Sequence, residues 1–419
     1  MQFEQEINRR YKPPRGVAGD QDLSSQGSRF YALTRDALKW LRQRTVNPVR
    51  LLSLPVLLVV AAAMLVYLKL YLASNRPRKS ILHSKAVSNV DLLLKQYPFH
   101  LYPILCKCME LAHLQGELQV VLGKQERIVE IAIGEGSSSR LIFPEDAGVV
   151  GLEINPYYLQ QTRQMKHVKE AIVCDCLEPP ICEGSFDVIV ANNFLHHVTQ
   201  KAKTLAAWSR IAGKAVFNEN TRFWASGWVT PYALSKLGLK TMAARVSSRI
   251  ESAHWQHLLE RSQLNAIVSE SYEIVRSESY LSERTFFLCA VFSLLMRCTG
   301  PPTPAVLKRL FLGPLRWIAL PMTKRLATSL IQYDELQDRS KDSFVSYTCN
   351  SRRFQRVDNV NYIMCPICEH RLDGSNKCSN CTVEYLRVDG MLFLLPKELD
   401  HIRLNYRPSF AATVPGELL

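Results

Sequence analysis

Hydrophobic and polar positions fall into several regimes along the chain. Residues 51–68 read LLSLPVLLVVAAAMLVYL without a charge, and the apolar run continues past Lys69 to Ala73. That is about the length that crosses a hydrocarbon core, with Lys69 placed to snorkel. About fifty residues precede the run and no cleavage site is evident, so the pattern predicts a transmembrane helix over 51–73 rather than a signal peptide. From 88 to 122, apolar residues such as Leu92, Leu93, Leu101, Ile104 and Leu105 predict helix. Strand-length apolar runs follow at 127–133, 148–153, 171–175, 186–191 and 214–219, alternating with helix-length segments. Alternation of this kind predicts an α/β fold with a largely parallel sheet, helices on both faces and right-handed crossovers.

The ends of these runs carry the candidate chemistry. In RIVEIAIGEGS an apolar strand ends in Glu130, and Ala132, Gly134 and Gly136 follow at every second position. Small residues there permit a tight turn and close approach of backbone to a ligand. Glu153 ends the next run, in VVGLEINP, 17 residues beyond Gly136. An acid at that distance from a glycine loop suits the two hydroxyls of a ribose. The third run ends at Asp175 and Cys176, and the fourth at Asn192 and Asn193 in GSFDVIVANNFLHHV. All lie where ligands bind in parallel sheets, beyond the carboxyl ends of strands.

These four segments, in this order, resemble the class I S-adenosylmethionine-dependent methyltransferases, within them the branch acting on quinones, sterols and lipids. The resemblance covers roughly residues 90–295. It implies a Rossmann-like domain, with Glu130 near the cofactor's amino-acid end and Gly134 and Gly136 in the turn beneath it. It implies that Glu153 accepts from the ribose hydroxyls, and that Asp175, beside Cys176, meets the adenine amine. Asn192 and Asn193 would border the methyl-transfer site. Ala132 departs from the family, which usually has glycine there, and weaker binding is expected at worst. His196, His197 and Glu219 are candidate bases for an alcohol or carbon acceptor. After the fifth run, Glu219, Asn220 and Arg222 would project over the site, with Phe223, Trp224 and Trp228 nearby.

Charge and cysteine usage then extend the picture. The net charge of +14 implies an anionic surface or partner. From Arg284 to Tyr333 there are seven basic residues and no acid, and Leu, Phe and Trp317 mix with Lys308, Arg309 and Arg316. Such a segment suits an anionic membrane interface better than a nucleic acid. Twelve cysteines in a chain that uses an intracellular methyl donor read as thiols or metal ligands rather than disulfides. Cys365 and Cys368, then Cys378 and Cys381, form two Cys-x2-Cys pairs nine residues apart, the pattern of a structural zinc ribbon. The tail resembles small zinc-ribbon proteins that activate RNA and protein methyltransferases, which offers a face for a protein partner.

The expected layout is a largely disordered segment over 1–50, with a short helix near Arg29–Arg44, and then the transmembrane helix over 51–73. A methyltransferase domain over 86–283, a basic apolar segment over 284–350 and a zinc ribbon over 360–398 follow. Basic residues flank both ends of the apolar run (Arg42, Arg44 and Arg50; Arg76, Arg78 and Lys79), so flanking charge leaves orientation open. Cofactor supply places the domain in the cytosol. The favoured reading is a membrane-anchored methyltransferase acting on a lipid, a lipid-linked sugar or another amphipathic acceptor. A methyltransferase on RNA or protein guided by the ribbon, and a non-catalytic cofactor-binding scaffold, are the alternatives. ANNF stands where adenine and amide N-methyltransferases carry their Pro-Pro tetrapeptide, which weighs against the first alternative.

Overall fold

A computed structural model describes residues 48–75, 81–96, 101–123, 126–221, 235, 238, 240–241, 259–289, 321–337, 342–357, 361–372 and 376–406. The segment before 48, the basic residues 76–79, Arg222, Phe223, Trp224, Trp228 and residues 290–320 of the basic segment lie outside the described residues. The predicted strands form at β1 (Ile128–Ile131), β2 (Val149–Glu153), β3 (Val168–Cys174), β4 (Phe186–Asn192) and β5 (Ala212–Asn220). With β6 (Tyr272–Ser282), β7 (Asp342–Ser351), β8 (Arg387–Val388) and β9 (Met391–Leu394) they make one nine-stranded sheet, in the order β6-β7-β5-β4-β1-β2-β3-β9-β8. The chain is thus mixed α/β with a large, mostly parallel sheet. β7 runs antiparallel between β5 and β6, and β8 antiparallel to β9.

Two strands depart from the expected layout. β7 comes from within 284–350, so the sheet draws on chain beyond residue 283. Residues 344–349 of β7 are all buried, Ser346 and Thr348 among them. Val345, Tyr347 and Cys349 alternate with Ser346 and Thr348, a period-two pattern that sequence reasoning did not use, and both faces are covered. β9 follows the cysteine pairs. Rather than closing a separate ribbon, it lies parallel beside β3, with Ile172, Val173 and Cys174 paired to Leu392, Phe393 and Leu394.

Helices α1 (Pro48–Ser74), α2 (Ile81–Gln96) and α3 (Leu101–Val121) precede the sheet. The expected single helical stretch over 88–122 is two packed helices, α2 and α3. α3 covers the face that carries Val188, Val190 and Val216, with Ile104, Leu105, Cys108 and Leu111 fully or almost fully buried. Trp208 and Leu205 of α6 (Lys201–Ile211) cover the opposite face. Ahead of α6 lie α4 (Ser139–Ile142) and α5 (Pro156–Arg163); α7 (Arg261–Ser269) and α8 (Asp400–Asn405) come later.

α1 forms where the apolar run predicts a helix, but its described part does not stand free. Ala61 and Leu68 join the core, and the Tyr71 ring lies 4.8 Å from that of Tyr333. Val59, Val66 and Leu70 are more than half exposed along another side. Among the described residues no helix is long and apolar enough to cross a membrane.

Candidate functional site

β1 leads into a loop bent by three residues with positive φ: Ala132 at 53°, Gly134 at 59° and Gly136 at 67°. The two glycines serve different needs. A Cβ on Gly134 would meet nothing nearer than 4.0 Å, so space opens beside it; one on Gly136 would strike Met165 at 2.7 Å and Thr162 at 3.0 Å. Gly134 therefore leaves room for a ligand, whereas Gly136 lets α5 pack against the loop. Ala132 carries a Cβ in the left-handed region, which costs on the order of 1–2 kcal/mol.

Glu153 secures this loop. Its Oε2 accepts from Gly134 N at 3.0 Å and its Oε1 from Asn155 N at 2.9 Å. Burial raises its pKa, and these backbone donors pull the other way. Each carboxylate oxygen keeps acceptor capacity beyond the one backbone bond, as a ribose diol requires. Glu130, by contrast, faces inward. Its Oε2 accepts from Ser139 Oγ at 2.6 Å, and that hydroxyl lies 2.8 Å from His167 Nε2. Full burial pushes the Glu130 carboxyl up to about 8, with the Ser139 bond opposing. Just beyond β3, Asp175 accepts from Leu177 N at 2.9 Å, and burial raises its pKa first, with Glu178 adding to it. Cys176 beside it is buried, and its carbonyl takes the Trp208 indole N–H at 3.0 Å.

At the ends of β4 and β5 the asparagines meet a carboxylate that no motif singled out. Glu110 of α3 accepts from Asn192 Nδ2 at 2.7 Å and from Asn193 Nδ2 at 3.0 Å. Asn218 donates to Asn192 Oδ1 at 2.8 Å, and the Tyr280 hydroxyl donates to Asn218 Oδ1 at 2.6 Å. Helical periodicity placed residue 110 on a packed helix, and nothing local told the buried acid from a solvent-facing one.

The candidate bases come together. His196 sits in a short 3-10 turn, Leu195–His197, after β4, and its Nδ1 lies 2.5 Å from Glu219 Oε1. Both side chains are buried, and Glu219 also accepts from Asn220 N at 2.8 Å. The two are partners rather than alternatives: Glu219 is placed to orient the His196 ring. The His197 ring stands 4.0 Å from that of His196. Lys201, missed by sequence reasoning, is buried behind the turn and donates to Val198 O at 2.6 Å. Burial lowers its pKa, and Glu219 opposes that.

The four cysteines converge as their spacing requires. Their sulfurs all lie within 4.8 Å of one another, with Cys365 to Cys381 at 3.5 Å and Cys368 to Cys378 at 3.4 Å. Thiolates around a tetrahedral zinc stand roughly 3.8 Å apart, so the set fits that ion and leaves no open position. The two turns share one geometry. Glu369 N bonds Cys365 O and Thr382 N bonds Cys378 O, both at 2.9 Å, and both Glu369 and Thr382 have φ near +60°. This module docks on the loop after Asp175: Cys182 N donates to Tyr362 O at 2.7 Å, Met364 N to Pro180 O at 2.9 Å, and Ile181 bridges to Ile363.

Residues 129–215, from β1 to β5, match the family model described as a methyltransferase domain. None of the curated proteins matches the chain. Among solved structures it is similar to the cyclase SpnF, at 14% identity over 57% of this chain and 81% of that one, with a TM-score of 0.35. The cyclopropane synthase MmaA2 from Mycobacterium tuberculosis is 14% identical over 57% of this chain and 82% of its own, with a TM-score of 0.35. Geranyl diphosphate C-methyltransferase from Streptomyces coelicolor is 13% identical over 57% and 74%, with a TM-score of 0.33.

Proposed function

The chain carries the domain of an S-adenosylmethionine-dependent methyltransferase, and we propose that it methylates a lipid, a lipid-linked sugar or another amphipathic acceptor at a membrane surface. The observation that carries the chemical half of this reading is the buried His196–Glu219 dyad beside the strand-end asparagines. Amine acceptors need no such base once neutral, whereas an alcohol or an acidic carbon must lose a proton as it attacks. Gly134 would leave room for the cofactor, Glu153 would hold its ribose, and Asp175 would meet its adenine. Bound there, S-adenosylmethionine supplies an electrophilic methyl group on a sulfonium. The protein's share is alignment and exclusion of water. Glu219 orients the His196 ring and stabilises the imidazolium formed when Nε2 takes the acceptor's proton.

The membrane half rests on composition and on α1. Basic, acid-poor chain from Arg284 to Tyr333 suits an anionic interface. The exposed apolar residues Val59, Val66 and Leu70 give α1 a side suited to lipid, while its buried side docks on the domain. Zinc at the four cysteines would be structural, pinning the loop after Asp175.

His196→Asn tests the chemical half. Asparagine removes the base while leaving the motif strands untouched. The expected result is a fall of about 10²–10⁴ in the single-turnover rate at neutral pH, with cofactor affinity kept within about twofold. An unchanged rate would remove the dyad from the chemistry.

A further inference from the structure

Glu110 lies on α3, outside the matched span of 129–215, and its role is not contained in any motif. Its side chain is only 3% exposed, yet it gathers donors from three parts of the chain. Oε1 accepts from Lys107 Nζ at 2.7 Å, from Ser138 Oγ at 3.1 Å and from Asn192 Nδ2 at 2.7 Å, and Oε2 accepts from Asn193 Nδ2 at 3.0 Å. These donors meet the hydrogen-bonding needs of a side chain that is almost wholly buried. Its one charged partner, Lys107, is 33% exposed, so water screens that ammonium. The partners on the side of the strand ends are neutral amides and a hydroxyl. Among the described residues, then, the ammonium beside Glu110 stands on the solvent side, and the groups that bond it toward the strand ends are uncharged.

A second buried carboxylate, Glu219, adds to the same field. The Tyr280 hydroxyl registers both: burial first, then Glu110, with Glu219 contributing less, push its pKa well up. Glu153 stands at the end of β2, with β1 between it and β4, so three carboxylates lie along the strand ends inside a chain whose net charge is +14. That contrast matters for the cofactor, which arrives as a sulfonium cation and leaves as a neutral thioether. A fixed carboxylate in a dry site favours the cation over several ångströms without touching it, and has little hold on the neutral product.

We propose that Glu110 is a specificity-determining residue: it gives the enzyme its preference for the charged methyl donor over the neutral product. This rests on the reading that the site holds S-adenosylmethionine. The field of Glu110 would then assist turnover by releasing product, and would hold Asn192 and Asn193 in place as a positioning residue.

Calorimetric titration of full-length protein with S-adenosylmethionine and with S-adenosylhomocysteine, for wild type and Glu110→Gln, tests this. Glutamine keeps an oxygen for Asn192, Ser138 and Lys107 but removes the charge. The expected result is donor affinity weakened roughly tenfold and product affinity changed less than about twofold. Equal weakening of both, or no change in either, would overturn the proposal and leave Glu110 a packing residue. Glu110→Asp, which keeps the charge, should keep the ratio of donor to product affinity within about twofold of wild type, and a ratio that falls as in Glu110→Gln would overturn the proposal. Wild-type protein that bound neither ligand would instead sink the cofactor reading itself.

Discussion

Glu130 and Ala132 show how local chemistry at the head of the glycine loop is read and misread from sequence. Both belong to one motif, and both were legible as positions. Their environments were not. Ala132 seemed to add only a methyl, but at φ 53° that methyl sits in the left-handed region, so the difference from glycine lies in backbone strain. Glu130 faces Ser139 and His167 instead of open space. Its burial gives a testable pH dependence. A carboxyl raised from about 4.5 to about 8 binds more protons folded than unfolded, so it removes stability as pH rises through that window. His167, lowered by burial, has the opposite sign, but only below about 6.5. Between about pH 6.5 and 8, therefore, urea midpoints of the wild type should fall relative to those of Glu130→Gln, which cannot ionise. Parallel midpoints across that range would contradict the buried, protonated carboxyl.

Elements were legible where burial on both faces leaves an unbroken apolar run. β1 to β5 stood out because continuous apolar runs bounded by polar strand ends are what buried parallel strands require. β7 carries a strand's alternation, but it lies in a segment read for its charge; its Ser346 and Thr348 face inward beneath α3, where Thr348 bonds Glu117. β9 falls within the expected zinc ribbon, and its pairing with β3 depends on where the cysteine module docks, about which spacing alone carries no information. In the proposed function, the docking would tie a zinc ion at the four cysteines to the loop after Asp175. Removal of zinc, by chelation or by Cys378→Ser, should speed amide hydrogen exchange over residues 176–182 as well as over 363–385, because Cys182 and Ile181 lean on Tyr362 and Ile363. Protection changes confined to 363–385 would show the module to be independent of the loop it touches. α1 teaches a related lesson. Hydrophobicity located the helix, but half of a greasy helix's surface packing on Tyr333 and the core is a tertiary fact that an apolar run cannot reveal.

At the scale of the whole molecule, charge is partitioned. The net charge is +14, while Glu110, Glu153 and Glu219 are buried at the strand ends. A basic exterior would draw the protein to an anionic surface, and an acidic interior suits a cationic donor. The proposed amphipathic acceptor would suit both, with its polar end at the dyad and its apolar end near the exposed apolar side of α1. The most direct test of that account is transfer of a labelled methyl group from S-adenosylmethionine to a membrane extract, comparing wild-type protein with His196→Asn and separating products by organic extraction. The account predicts label in the organic phase with wild type and near-background label with the variant. Label that stays with RNA or protein, or that is equal for the two enzymes, would contradict it.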